Sequence, residues 1–536
     1  MKVANAIVEF LQREKIKVVF GYPGATISPL YEALSSSKIL NVVSRHEQNA
    51  GHSANGYARA SKKVGVCIAT SGPGATNLIT AIASAYMDSI PMVIITGQVS
   101  SKLIGRDVFQ EADIIGACEP FVKHSYLIKD STEIISVLKE SFYIAKSGRP
   151  GPVLIDIPVD ILDSEVKNIN WDTNVDIIGY KPNVKGHPLQ IKKAVQALKD
   201  AKKPVICAGG GVVLSNAQEE LLNFANKCNI PVVNTLMGVG ILPSESTLKL
   251  GLLGKYGVSK ANYAITNADV LIICGARVGD RTFSENKEYS DIKTVIHIDI
   301  DPAEIGKNLK ADIPIVGDLK IVLEDLLNKC ESASHSDWIK ECNSIKANEI
   351  TSSDYKYVNP INFLQKISKE FDNAIITCDV GQHQIWCANT FYVKNGRFFT
   401  SGGMGTMGYS LPCAVGCALA DNKTDVICVC GDGGFQMCMN ELATAKKYDL
   451  NIKIIVLNNN SLGMVKEYQE HNNLTTFGVD MDYSPDFCNI ASAYDIPSIR
   501  IENNNFDYVI NNLKSTKGPF VLEVCVDSSF PSRGEI

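Results

Sequence analysis

Ten short runs of apolar, β-branched residues recur along the chain: KVVFG, GVCIAT, MVIITG, PVLIDI, PVICAG, VLIICG, TVIHIDI, AIITCD, VICVCG and IKIIVLNN. Stretches with helical spacing of apolar positions separate them. This alternation predicts an α/β fold with parallel, doubly wound sheets. Ten such runs are too many for one small sheet. Two polar, turn-rich segments divide them, one near residues 163–188 and one near 331–360. The pattern therefore predicts three α/β domains, over 1–165, 186–330 and 356–536, each of ordinary domain size. The first residues, MKVANAIVEFLQREKIKVVFGYPG, read as an amphipathic helix feeding a strand. No short-period repeat or low-complexity segment interrupts the pattern.

Composition changes this picture little. The 536 residues are 45% hydrophobic and 21% charged, which fits a globular chain with a large core. A net charge of −6 gives no basis for a nucleic acid or an anionic membrane as partner. No run approaches the roughly 18 apolar residues of a membrane span, and the N-terminus lacks the apolar core of a secretory signal. The 16 cysteines form no CxxC pair, and two of them, Cys428 and Cys430, share one strand-like run. Thiols scattered through core-like runs point to a reducing cytoplasm, not to disulfides or metal clusters.

Candidate chemistry gathers where strands end. Five runs finish in glycine or a small polar cluster: FGYPGAT, TSGPGATN, AGGGV, CGARVGD and CGDGG. Ligands of open parallel sheets bind beyond the carboxyl ends of the strands, where glycine lets backbone N–H groups approach a phosphate. One such turn could be an ordinary tight βα connection; five favour a large phosphate-bearing cofactor, or two. Asp432 follows the strand TDVICVCG, a helix-like segment FQMCMNELATAKKY comes next, and IKIIVLNNN is the following strand. In a parallel βαβ unit both strands end at the same edge, so Asp432 and Asn459 meet there. A carboxylate with a carboxamide is a hard-oxygen set suited to Mg²⁺ that also takes oxygens from a diphosphate.

Gly431-Asp432-Gly433 followed by Asn458-Asn459 resembles the signature of thiamine diphosphate enzymes. Across nearly the whole length the chain is similar to acetohydroxyacid synthase (acetolactate synthase) catalytic subunits. The matching motifs are FGYPGATISPLYEAL, SRHEQNAGHSANGYAR, TSGPGATNLITAIASAYMDSIPMVIITGQV, FQEADIIGACEPFVKH, GRPGPVLIDIP, HIDIDPAEIGK, DVGQHQIW and SGGMGTMGYSLP. The resemblance implies a pyrimidine-binding N-terminal domain, a central flavin-binding domain and a C-terminal diphosphate-binding domain. It implies an active site between the chains of a homodimer or homotetramer, with room for a small regulatory subunit. It also implies specific residues. Asp432, Asn459 and the Ser461 carbonyl would hold Mg²⁺, with Gly431, Gly433 and Gly434 beside the diphosphate. Glu47 would face the cofactor's aminopyrimidine, near Pro73 and Asn77. Met407, beside Gly405, would be the apolar wedge that keeps the cofactor bent, and Gln382 and His383 would contact the diphosphate. Gly24, Phe109 and Gln110 would lie near the reacting carbonyl, where a backbone N–H and a carboxamide can stabilise developing negative charge. Lys123 has a counterpart in the family; by itself it reads as a solvated lysine. FAD would lie near Gly209, Gly210, Gly211, Met237, Gly275, Arg277, Asp299 and Asp318, in a non-redox role.

Several positions depart from the family pattern. The arginine motif, usually Arg-Phe-Asp-Asp-Arg, reads Arg277-Val278-Gly279-Asp280-Arg281. Val159 stands where lysine is usual, Lys255-Tyr256 where Met-His is usual, and Tyr468 where biosynthetic synthases have tryptophan. The C-terminus, VDSSFPSRGEI, lacks the usual proline-glycine tail. Lys255 and Tyr468 would shape the pocket of the second substrate. Decarboxylation of pyruvate and transfer of the two-carbon unit to a second 2-oxo acid is the expected reaction. It gives 2-acetolactate, or 2-aceto-2-hydroxybutanoate from 2-oxobutanoate, for branched-chain amino acid synthesis. A related carboligase using another acceptor, such as a keto-sugar, stays open, as do a flavin-dependent pyruvate oxidase and a non-catalytic cofactor-binding relic.

Overall fold

The computed structural model describes residues 1–167, 169–172, 174–283, 292–346 and 355–533. Eighteen strands among them build three six-stranded sheets, and all pairings between these strands are parallel. The first sheet holds β1 (Val18–Gly21), β2 (Leu40–Val43), β3 (Gly65–Ala69), β4 (Met92–Gln98), β5 (His124–Leu127) and β6 (Pro152–Pro158), ordered β2-β1-β3-β4-β6-β5. The second holds β7 (Pro204–Ala208), β8 (Val232–Asn234), β9 (Lys249–Leu252), β10 (Val270–Cys274), β11 (Thr294–Asp299) and β12 (Ile313–Val316), ordered β12-β11-β10-β7-β8-β9. The third holds β13 (Ile375–Cys378), β14 (Phe398–Phe399), β15 (Val426–Gly431), β16 (Ile452–Asn458), β17 (Ser498–Ile501) and β18 (Phe520–Cys525), ordered β14-β13-β15-β16-β18-β17.

Counted within each sheet, the first and third share the order 2-1-3-4-6-5, while the second has the dinucleotide-fold order 3-2-1-4-5-6. All ten apolar runs are strands. Six of the eight strands without such a run, β2, β5, β9, β12, β14 and β17, are the sheet edges. Five of these carry half-buried or exposed positions, so no continuous apolar run marks them. The fourteen-residue segment after Asp432 does not form one helix. It breaks into Asp432–Gln436 and Leu442–Lys447 around a tight turn, Met439–Glu441. The reason is tertiary: Glu441 is buried and accepts from the Arg45 backbone N–H (2.5 Å) and from Asn49 Nδ2 (3.2 Å) in the first domain. The polar segment near 331–360 is also not simply a linker. Its helix Ser336–Ser344 buries Trp338 and Cys342 at i, i+4, and the indole N–H donates to the Pro204 carbonyl (3.2 Å).

The first and third domains meet through helices Glu47–Ser61 and Ser410–Ala420, which follow the second strand of their respective sheets. Gly56 abuts the Cys413 carbonyl and Gly416 the Ser53 carbonyl, with no room for a Cβ at either crossing. Ser53 Oγ donates to the Pro412 carbonyl (2.9 Å), and the Tyr409 hydroxyl donates to Asn55 Oδ1 (2.9 Å).

Candidate active site

At the third sheet, β15 lies between β13 and β16, and Gly431 is in register with Leu457. Asp432 and Asn459 therefore leave neighbouring strands at one edge. Asp432 is buried and its Oδ2 has no partner, so desolvation pushes its carboxyl up to about 7. Asn459 Nδ2 donates to Gln382 Oε1 (3.0 Å), and Asn459 Oδ1 accepts from the Ser461 N–H (3.1 Å). The Ser461 backbone also faces the Asp432 carboxylate, which brings all three residues together. An orphaned, buried carboxylate oxygen beside a carboxamide oxygen fits Mg²⁺. Buried Gln382 is engaged at both ends, since its Nε2 donates to Glu467 Oε1 (2.8 Å) and to the Phe530 carbonyl (3.0 Å). It thus orients the Asn459 amide. Buried His383 packs against Gly431 and carries an unpartnered Nε2; desolvation lowers its pKa to about 4, so the ring is neutral.

Sequence reasoning passed over Asp379, the acid that ends the run AIITCD. It is wholly buried and accepts from the backbone N–H groups of Val380 (2.9 Å), Gly408 (3.0 Å) and Ser410 (3.0 Å). It thereby pins the turn that carries Gly405 and Met407. Both glycines of that turn, Gly405 (φ +64°) and Gly408 (φ +81°), hold left-handed backbone. A side chain on Gly433 would meet Leu462 and Met407 Cε, and one on Gly434 would meet Asp379. The glycine turn, the Met407 turn and the Gln382 helix, Gln382–Thr390, thus converge at the β13/β15 switch point.

The first sheet builds its counterpart at the β1/β3 switch point. Thr70 packs against both Gly24 and Gly74, and Thr26 Oγ1 lies 2.9 Å from Thr70 Oγ1. Glu47 begins its helix, half-buried, and its Oε2 accepts from Asn77 Nδ2 (3.0 Å). Pro73 opens the short helix Pro73–Thr76 just before Asn77. Gln110 has left-handed backbone (φ +60°) and its Cβ packs on Gly72. Phe109 is 87% exposed in the single chain. Among the described residues, no hydrogen bond or ion pair joins Glu47, Asn77 or Gln110 to Asp432, Asn459 or Ser461.

In the second sheet the glycine turns after β7 and β10 interlock at the switch point. The Gly209 N–H donates to the Cys274 carbonyl (2.9 Å), the Gly211 N–H to the Gly275 carbonyl (2.9 Å), and Gly210 lies against Met237. Burial pushes the Asp299 carboxyl up to about 6 and lowers the pKa of the Arg277 guanidinium. Asp318 caps helix Leu319–Lys329, accepting from the N–H groups of Lys320 and Ile321. Crowded glycine backbone at a dinucleotide-fold switch point, flanked by acids at strand ends, fits the phosphates and ribose of FAD.

Lys123 is not a solvated lysine: it is half-buried just before edge strand β5. Its Nζ donates to the carbonyls of Ile144 and Ser147 (2.6 Å to the latter), capping helix Ile134–Lys146, and to the Tyr180 hydroxyl (3.1 Å). Burial lowers its pKa to about 8. Val159 starts helix Val159–Asp163. Tyr468 lies 55% exposed on helix Gly463–His471. Lys255 is exposed, and its carbonyl accepts from the Arg533 guanidinium near the C-terminus. No hydrogen bond joins Lys255 to Tyr468 among the described residues, and the final three residues of the tail lie outside those described.

Two sheets of one topology and one of dinucleotide topology, each with its residues at a switch point, define a thiamine pyrophosphate enzyme. The chain matches that enzyme family's N-terminal TPP binding domain over residues 1–117, its central domain over 191–326 and its C-terminal TPP binding domain over 379–524. It is 44% identical to a probable acetolactate synthase large subunit of Methanocaldococcus jannaschii, covering 98% of this chain and 92% of the relative. It is 41% identical to acetolactate synthase isozyme 3 large subunit of Escherichia coli, covering 98% and 95%. A Buchnera aphidicola large subunit is 45% identical over 94% of this chain and 90% of the relative. The chain belongs to the acetolactate synthase large-subunit family.

Proposed function

We propose that the protein makes 2-acetolactate from two molecules of pyruvate, with thiamine diphosphate, Mg²⁺ and a structural FAD. The observation that carries this reading is the pair of complementary edges on sheets of identical order. One presents the Asp432, Asn459 and Ser461 oxygens, the other the Glu47 carboxylate and the Gln110 carboxamide. Bound thiamine diphosphate supplies a carbon nucleophile and an electron sink. The chain's residues do the rest. Asp432, Asn459 and the Ser461 carbonyl would hold Mg²⁺, with Gly431, Gly433, Gly434 and neutral His383 beside the diphosphate. Gln382 orients Asn459. Met407 and Gly405 would lie in the turn beside the cofactor, and Glu47, set by Asn77 and flanked by Pro73, would hold a proton towards its aminopyrimidine. Gly24, Phe109 and Gln110 bound the reacting carbonyl, where the Gln110 amide stabilises the developing oxyanion. The glycine turns at 209–211 and 275 would hold FAD, with Met237, Arg277, Asp299 and Asp318.

Residues 1–165 would form the pyrimidine domain, 186–330 the flavin domain and 356–536 the diphosphate domain. Among the described residues no hydrogen bond or ion pair joins the two edges within one chain, which supports a homodimer, or a tetramer of two dimers, in which one chain's Glu47 edge faces its partner's Asp432 edge. The relatives' designation as large subunits supports a small regulatory partner. The buried free thiols and the absence, among the described residues, of any helix able to cross a membrane support a cytoplasmic site.

NMR analysis of the products formed from pyruvate with thiamine diphosphate and Mg²⁺, with and without FAD, tests the reading. Acetolactate is the expected main product. CO₂ and acetaldehyde without acetolactate would direct attention to Lys255 and Tyr468 and to another acceptor, such as a keto-sugar. Strict dependence on O₂ or an electron acceptor would identify a flavin oxidase instead.

A further inference from the structure

A buried carboxylate occupies the same place in both outer domains. In the first sheet Asp156 on β6 is in register with Thr96 on β4. Two residues on, and on the same face of β4, Gln98 Nε2 donates to Asp156 Oδ2 (2.9 Å). In the third sheet Glu523 on β18 is in register with Val456 on β16. Again two residues on, Asn458 Nδ2 donates to Glu523 Oε1 (2.8 Å). Both carboxylates are almost wholly buried, and burial pushes both carboxyls up. Each carboxamide ends the fourth strand of its sheet, and each uses its other hydrogen-bonding atoms on the backbone that follows.

Gln98 closes the neck of a loop. Its Oε1 accepts from the Val99 N–H (2.8 Å) where loop 99–112 begins, and its Nε2 also donates to the Ala112 carbonyl (2.8 Å) where the loop ends. Loops with closed ends are compact and internally packed. Here the packing includes Ser101 on Asp160, and the N–H groups of Gly105 and Val108 on Glu111. Phe109 and Gln110 lie three and two residues before that neck. In the other domain, Asn458 Oδ1 accepts from the Asn460 N–H (3.0 Å), so the turn it closes contains Asn459 itself. Arg500 Nη1 stands 3.6 Å from Glu523 Oε1, a second hold on that carboxylate.

We propose that this repeated carboxylate–carboxamide brace is a pair of positioning devices with separate duties. Asp156–Gln98 sets the Gln110 loop for carbon–carbon bond formation, and Glu523–Asn458 sets Asn459 for the cation. The proposal rests on the acetolactate reading. In that reaction pyruvate loses CO₂, and the two-carbon unit then has two fates. It bonds to the carbonyl carbon of a second pyruvate, whose oxygen becomes the hydroxyl on taking a proton, or it takes a proton itself and leaves as acetaldehyde. A displaced Gln110 weakens the first fate and not the second.

The test is a crossed pair of variants in the full chain loaded with thiamine diphosphate, Mg²⁺ and FAD. Gln98→Leu is expected to lower the acetolactate-to-acetaldehyde ratio by roughly tenfold or more, because misplacing a reacting group by about 1 Å is that damaging. Its Kd for Mg²⁺ should stay within about twofold of wild type. Asn458→Leu should do the reverse, weakening Mg²⁺ binding by roughly ten- to a hundredfold, as loss of a ligand's hydrogen-bond support does, with the product ratio unchanged. Asp156→Asn, which keeps an acceptor towards Gln98, should retain most of the ratio that Asp156→Ala loses. If Gln98→Leu does not fold, Gln98→Asn, one methylene shorter, reads the same ratio. Both variants moving both readouts together, or Gln98→Leu leaving the ratio unchanged, overturns the proposal. A wild-type protein that makes no acetolactate overturns the functional reading instead, and is seen before any variant is made.

Discussion

The first and third domains repeat one topology and even one buried brace, yet their switch points carry opposite equipment. The third presents carboxylate and carboxamide oxygens, which we propose hold a cation, with Asp432 buried and one of its oxygens unpartnered. The first presents a half-buried Glu47 already tied to Asn77. The shared strand order fixes where a ligand can sit; the few side chains just past the strand ends decide what it does there. The second domain sharpens the lesson. Its different strand order goes with interlocked glycine turns after β7 and β10.

The comparison breaks most visibly at the two carboxylates. Asp432→Ala should abolish Mg²⁺ binding in isothermal titration calorimetry and with it thiamine diphosphate retention. Glu47→Gln should keep both and lower kcat by about 10²–10⁴, the range for loss of an acid–base group. Equal losses of binding in the two variants would show that the edges are not specialised as described.

A smaller effect is expected where the two domains touch. Gly416→Val forces a side chain onto the Ser53 carbonyl in the helix crossing. Overpacking of this kind costs about 1–3 kcal/mol, and denaturant unfolding should report at least that loss, with thiamine diphosphate affinity falling in parallel. Unchanged stability would mean that the helices can move apart freely.

The smallest effect separates wild type from Asp156→Asn by pH. Burial raises the Asp156 carboxyl from 3.8 to about 7, with Asp113 and Cys118 as its charged or titratable neighbours. A raised carboxyl binds more protons folded than unfolded, so its contribution is present below about pH 4 and is lost as pH rises through about 7. The amide has no such dependence. The Tm of Asp156→Asn should therefore gain on wild type by a few degrees between those limits; a pH-independent difference would place the Asp156 carboxyl at an ordinary value.

Much of this was legible without coordinates. The ten strands with apolar-rich runs all form, because strands covered on both faces must be largely apolar. The meeting of Asp432 with Asn459 follows from parallel βαβ geometry alone. Other features were not legible. Edge strands hide because they are very short or carry half-buried and exposed positions. Helix Ser336–Ser344 hides because only Trp338 and Cys342 face inward. Asp379, Gln98 and Glu441 each look like an ordinary polar residue beside a strand or turn. What makes them positioning groups is the set of donors and acceptors that distant segments bring to them, and no local pattern encodes that. The sequence by itself determined the domain class and the glycine- and acid-bearing strand ends, since periodicity and residue type are local properties. Tertiary structure alone decided which polar side chains were buried and which backbone they hold, because burial and hydrogen-bond partnership depend on what the rest of the chain packs against them.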